Sequence, residues 1–216
     1  MTDSEPPSYS SVVATNDPAV KLHSTTQLPH FYLDGTLIFP SAPPARASYE
    51  INSPPCEAKS ASYEVRKIVY KLSTHGPSPG TVRSRVERIY GFRPFRMPSF
   101  LINGRRHMLI DALGKGQVDQ VEMVPAWHGD ASWTVEGYFK TKQSRGDQFR
   151  RRRSVSWLDQ NDRVVAVEER VVRDSYGRVK GLPELQLLAQ MDEKMVDLLV
   201  TCWSARLWKE ALNEIY

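Results

Sequence analysis

Between Met195 and Trp208 the chain has no polar face to turn toward water. Met195, Val196, Leu198, Leu199, Val200, Cys202, Trp203, Ala205, Leu207 and Trp208 cover every side of a helical projection. Asp192-Glu193 supplies a carboxylate cap and negative charge where a helix begins, and no Gly or Pro follows through Tyr216. These signals predict a helix over 192–212. A helix that is apolar all round is either enclosed by protein or sunk in a membrane. Asp197 and Arg206 interrupt this one, and its apolar run is short for a span. What remains is a helix threaded through the middle of the fold, with the rest of the chain supplying its walls.

The preceding sequence reads as strands. Phe31-Tyr32-Leu33 and Thr36-Leu37-Ile38-Phe39 flank Asp34-Gly35, a strong short-range hairpin signal. Tyr63–Tyr70 and Val82–Tyr90 follow, then Phe100–Ile102 and His107–Ile110 around the turn dipeptide Asn103-Gly104. Further β-like runs occupy Val118–Val124, Ser132–Lys140, Phe149–Leu158, Arg163–Val172 and Leu185–Leu188. Runs at about ten-residue spacing, with no helical pattern between them, predict an antiparallel sandwich or barrel through residue 190.

Residues 1–27 differ in kind: few aromatics, many Ser, Thr, Asn, Asp and Pro. They read as a disordered tail ahead of a domain at 28–216. The tail lacks the basic and apolar regions of a secretory signal. Cys56 and Cys202 are too few for a disulfide framework and lack zinc-ligand spacing, which suits a reducing compartment. The expected location is intracellular: cytoplasmic, peripheral at membranes, or nuclear.

Two short features carry chemistry. Pro6-Pro7-Ser8-Tyr9 matches PPxY, a proline-rich ligand that docks in the aromatic groove of WW domains. The partner class it points to is a WW-containing ubiquitin ligase of the HECT type, against the plainer reading of an inert tail. Lys140, Lys142 and Arg145, in what reads as an exposed turn over 140–146, precede Arg150-Arg151-Arg152-Arg153. Such a cluster binds phosphate groups of lipid or nucleic acid, or acts as an import signal, or is a solvated strand edge. Net charge is only +4, so a dedicated nucleic-acid binder is the weaker reading. Phe92 and Phe95, among Arg93, Arg96, Pro94 and Pro98, read as core anchors of a loop rather than an RNA platform.

No catalytic residue, cofactor site or metal site emerges. The chain has no H-E-x-x-H or P-loop, Gly76-Pro77-Ser78-Pro79-Gly80 has the G-x-S-x-G spacing but reads as a turn closing the preceding strand, and the histidines are scattered over expected loops and turn edges. Gly114-Lys115-Gly116 and Asp159–Asp162 read as turns, and Trp127–Asp130 is too sparse to define a pocket.

A long antiparallel series followed by a hydrophobic C-terminal helix resembles the tubby C-terminal-like superfamily, which includes tubby, LURP-one-related and scramblase-like proteins. The segments Asp192–Trp203 and Ala205–Ala211 are also similar to the ends of fungal proteins with a PPxY-bearing N-terminus. The resemblance covers roughly residues 31–212. It implies a closed antiparallel β-barrel of about twelve strands around the C-terminal helix. No tubby phosphoinositide motif maps onto this sequence, so no binding residue is carried over. The function expected is a non-enzymatic interaction module binding a WW protein through PPSY and anionic phospholipid through the basic loop. A scramblase-like lipid-modifying or lipid-transfer protein, and a basic nucleic-acid-binding domain, are the alternatives.

Overall fold

The computed structural model describes residues 28–41, 45–72, 82–96, 106–125, 132–143, 154–169, 171, 174–176, 178 and 180–215. Twelve strands alternate in direction around a closed ring: β1 (His30–Asp34), β2 (Leu37–Phe39), β3 (Tyr49–Ile51), β4 (Tyr63–Leu72), β5 (Val82–Arg96), β6 (Arg106–Ala112), β7 (Val121–Pro125), β8 (Trp133–Val135), β9 (Phe139–Lys142), β10 (Ser154–Leu158), β11 (Val164–Glu169) and β12 (Glu184–Leu187). Each strand pairs with its neighbour in sequence. The ring closes where β1 meets β12 through His30↔Gln186, Phe31↔Leu185 and Tyr32↔Glu184. Closure leaves no sheet edge at the seam. One helix, α1 (Glu193–Ile215), follows.

Every residue from Asp197 to Trp208 is buried. That is about 18 Å of helix with no solvent-facing side, which only enclosure within the ring allows. Period-two burial along the strands supplies the lining: Phe31 and Leu33, Tyr49 and Ile51, Met108 and Ile110, Val121 and Met123 point inward. Trp157, Trp203 and Trp208 are the largest fully buried side chains. Tyr63 stacks on Phe92 at 4.9 Å, and Trp208 tilts onto both rings at 5.6 and 6.1 Å. Aromatic pairs in this arrangement add to the stabilisation their burial gives.

Local signals explain several elements. The Asp34-Gly35 hairpin forms as expected, with Asp34 opposite Leu37 and Gly35 at φ +57°, a conformation that costs other residues. Gly114 sits where an added Cβ would meet the Arg88 carbonyl oxygen at 2.7 Å, so close approach requires glycine there. Asp192 caps α1: its Oδ1 accepts the Met195 N–H at 2.8 Å.

Elsewhere the structure departs from the sequence reading. β3 lies in a stretch with no extended apolar run, and three residues suffice because Glu50 and Tyr49 pair on both sides. β5 does not end at Tyr90 but runs through Pro94 to Arg96, over residues expected to form a loop. Pairing with β4 stops at Tyr63↔Phe92, so at Pro94 β5 has β6 on one side only, where a missing N–H is tolerated. β6 therefore pairs with β5, and the expected partner strand Phe100–Ile102 lies outside the described residues. Ser132–Lys140 is not one strand but the hairpin β8–β9, folded about Gly137 at φ +77°. The 140–146 stretch is not an exposed turn at its start, since Lys140 to Lys142 belong to β9.

At the far end of the β4–β5 ribbon, Val82 through Val86 are all exposed. The two strands project there beyond the ring.

Because Trp203 is wholly enclosed, Trp203→Ala should leave a cavity costing about 3–5 kcal/mol. Chemical denaturation should show this as a lower midpoint. An unchanged midpoint would mean that α1 is not the core.

Candidate functional site

Of the cationic cluster, Lys140 and Lys142 are described. Arg145 and Arg150 to Arg153 belong to residues 144–153, which connect β9 to β10, and lie outside the described residues. So do Pro6, Pro7 and Tyr9, and Trp127–Asp130. Along β9, Phe139 and Thr141 are buried, so Lys140 and Lys142 share the outer face. Lys140 is paired across the sheet with Thr134, and Lys142 with Ser156. Thr141 Oγ1 instead accepts the Trp133 N–H at 2.7 Å, pinning the strand from inside. Lys140 makes an ion pair with Asp162 on the β10–β11 turn. Lys142 is exposed at the foot of the connection that carries the arginines.

Beside this face a groove of about 600 Å³ opens between the β8–β9 turn, the β10–β11 turn and the stretch leading into α1. Its acids are held by local hydrogen bonds. Asp159 Oδ1 accepts the N–H groups of Arg163 at 3.0 Å and Asn161 at 2.8 Å. These bonds, that of Arg163 foremost, hold the Asp159 carboxyl below the usual carboxylate range. The Asp159–Asp162 turn thus forms as the sequence suggested. Tyr138, Val164, Met191 and Met195 give the groove its apolar lining.

Inside the barrel lie two charge clusters that sequence reasoning missed. Asp197, buried on α1, accepts the Tyr49 hydroxyl at 2.8 Å and Lys67 Nζ at 2.7 and 3.0 Å. Lys67 also reaches Glu193 at 2.7 Å. Burial and the adjacent Asp197 carboxylate push the Tyr49 phenol well above its usual range. Burial works against the Lys67 charge, but hydrogen bonds to Asp197 and Glu193 outweigh it and raise the ammonium. Further along α1, Arg206 forms ion pairs with Glu168 and with Glu210. Glu168 also accepts Trp157 Nε1–H at 2.9 Å. The legible signal was the pair of charges in an apolar helix, because buried charges require partners. The partners themselves are distant in sequence and carried no mark.

His107 is not at a turn edge but buried in β6, with Nδ1 against Glu122 of β7. Gly114–Gly116 is a turn, as expected. Among the described residues no group of three His, Cys, Asp or Glu is placed to hold a metal ion. No helix among them is long and apolar enough to cross a membrane.

The Asp197 cluster yields two predictions. Asp197→Asn leaves the Lys67 ammonium short of its partner and should cost about 3 kcal/mol, whereas the double change Asp197→Leu with Lys67→Met should recover much of it. Urea titration of the three proteins checks this; equal losses in single and double variants would contradict it. Tyr49 and Lys67 both hold their protons more tightly folded than unfolded. Their contribution is complete below the ordinary values of 10.0 and 10.5 and is lost as pH rises beyond them. The thermal midpoint should therefore fall above about pH 10, and fall less steeply in Tyr49→Phe. Comparison of the chain with protein-family models, with curated proteins and with solved structures returns no match.

Proposed function

We propose that this chain is a non-enzymatic adaptor: a barrel of the tubby-like kind that meets an anionic phospholipid surface through its basic face and recruits a WW-domain protein through Pro6-Pro7-Ser8-Tyr9. The observation that carries the reading is the placement of Lys140 and Lys142 together on the outer face of β9, at the root of the connection containing Arg145 and Arg150–Arg153. Lys142 leads directly into that connection, so the cationic residues lie close together in sequence. Arginine and lysine so grouped attract anionic headgroups with about 1 kcal/mol each near the surface.

The interior supports the same reading from the other side. Its volume is taken by α1 and three indoles, and its buried charges at Asp197 and Arg206 are engaged in holding the helix. The tubby-like assignment rests on the number of strands, the closure and the enclosed C-terminal helix. A WW-bearing ubiquitin ligase of the HECT type is the partner class that the PPSY segment fits.

Co-sedimentation with vesicles containing phosphoinositide or phosphatidylserine, and with neutral vesicles, tests the lipid arm. Pelleting should require anionic lipid, weaken with salt, and fall at least tenfold on changing Arg150 to Arg153 to Gln, since each tenfold is about 1.4 kcal/mol. No pelleting with any vesicle would end this arm of the proposal. Tyr9→Ala should abolish capture by a WW domain without altering vesicle binding; undiminished capture would end the other arm.

A further inference from the structure

The β4–β5 ribbon runs past the ring with two faces of opposite character. Lys71 lies opposite Arg83 and Val69 opposite Arg85, so Lys71, Arg83 and Arg85 share one face. Ile68 lies opposite Val86 and Tyr70 opposite Ser84, and alternation adds Val82 to this second face. On it Tyr70, Val82 and Val86 are 39, 41 and 48% exposed. On the first face Lys71 and Arg83 stand directly across from each other, an arrangement that destabilises a sheet. Neither makes an ion pair among the described residues, and the acid on that face, Glu87, is engaged by Arg85 at 3.2 Å.

The two edges of the ribbon differ as well. On the β4 side the chain itself gives cover. Ile68 N–H donates to the Ser48 carbonyl at 2.8 Å, the Tyr70 hydroxyl donates to the Ala47 carbonyl at 3.0 Å, and Arg46 lies over the Tyr70 ring at 5.4 Å. On the β5 side the Ile89 carbonyl accepts the Leu113 and Gly114 N–H groups at 2.9 and 3.2 Å, and pairing with β6 begins at Tyr90. Among the described residues no strand lies against β5 from Val82 to Glu87 on the side away from β4. Every second residue of that stretch directs its N–H and C=O outward, along an edge of about 17 Å. Such an edge is a template for another strand.

The two faces decide which occupant suits it. A strand added to β5 continues both, with alternate side chains beside Arg83 and Arg85 on one and beside Val82 and Val86 on the other. A bilayer meets one face at a time and leaves the edge amides unpaired. A second copy of the ribbon brings the same cations, Lys71, Arg83 and Arg85, with Glu87 as the acid among them. Like charges across a strand pair repel. The cations that turn away an identical strand attract an acidic one.

We propose that the open edge of β5 over Val82–Glu87 binds an extended segment of a partner protein in which acidic and aliphatic residues alternate. Its acids lie beside Arg83 and Arg85, with Lys71 adding to their field, and its aliphatic side chains lie beside Val82 and Val86. The added strand supplies the negative charge that the facing Lys71 and Arg83 lack. This contact does not depend on the lipid or WW contacts proposed above.

Two peptides of one composition, titrated into the full chain and followed by backbone amide NMR and hydrogen exchange, test it. In one, Glu and Val alternate; in the other, a Glu block precedes a Val block. The alternating peptide should shift the amides of Val82–Glu87 and slow exchange at every second one, those directed away from β4. It should bind at least tenfold more tightly than the block peptide, and Arg83→Gln/Arg85→Gln should weaken it at least tenfold, with the amide signals of β1 and β12 unchanged as fold controls. Equal binding of the two peptides would reduce the contact to charge attraction and overturn the proposal, as would the absence of any shift at millimolar peptide. Slow exchange of the edge amides without peptide would also overturn it, because the edge is then already covered, by a second copy if the slowing grows with protein concentration and by this chain if it does not. Anionic vesicles that protect the edge where the alternating peptide does not would overturn it in favour of a membrane.

Discussion

The fold depends on the helix being held from two sides by charges of opposite sign. Asp197 and Arg206 are nine residues apart in α1, and at 3.6 residues per turn this separation places them on opposite faces. Asp197 is bound to β3 and β4 through Tyr49 and Lys67, while Arg206 is bound to β11 through Glu168. Those strands are four and five places from β11 around the ring of twelve. An apolar helix in an apolar tube has little to fix its rotation or its depth. A carboxylate that must find an ammonium on one wall, and a guanidinium that must find a carboxylate on the other, leave a single seating. Paired buried charges give modest net stability but penalise every misplaced alternative.

The rest of the core follows from that seating. With α1 fixed, Trp208 meets Tyr63 and Phe92, and Trp157 is tied to Glu168 by its indole N–H. The bulge at Trp157/Leu158 brings two consecutive residues of β10 to buried positions. Polar groups and large rings are thus set together, and the strands that supply them need not be long. β2, β3 and β8 have three residues each. They persist because a closed ring pairs each on both sides, where a lone hairpin of that size would be marginal.

What the sequence made legible was whatever has a short-range physical cause. The Asp34-Gly35 turn, the capped start of α1 at Asp192 and the all-round apolar run each rest on neighbouring residues, and each appears where expected. The misreadings fall where neighbours decide instead. Pro94 belongs to a strand because β6 pairs with it on one side while pairing with β4 stops at Phe92, a fact about the partners rather than about Pro94. Gly137 folds β8 onto β9 inside a run whose apolar pattern is continuous across the turn. The candidate site divides in the same way. Lys140 and Lys142 were picked out as cations, but their shared outward face came from the strand, with Thr141 drawn inward to the Trp133 amide. Lys67, Tyr49 and Glu168 carry no local mark, since what distinguishes them is a partner in α1 more than a hundred residues away for the first two.

Ring closure also has a consequence in time. Strand β1 is made early and its partner β12 late, and α1 emerges after both. During synthesis the earlier strands can pair in order as hairpins, but the tube has neither its seam nor its filling until β12 and α1 are out of the ribosome. Until then the row of inward side chains from Phe31 onward has nothing to cover it, and β1 presents a bare edge. Long-range pairing of this kind slows folding and leaves intermediates open to association. The growing chain therefore depends longest on whatever shields its apolar wall before the helix arrives.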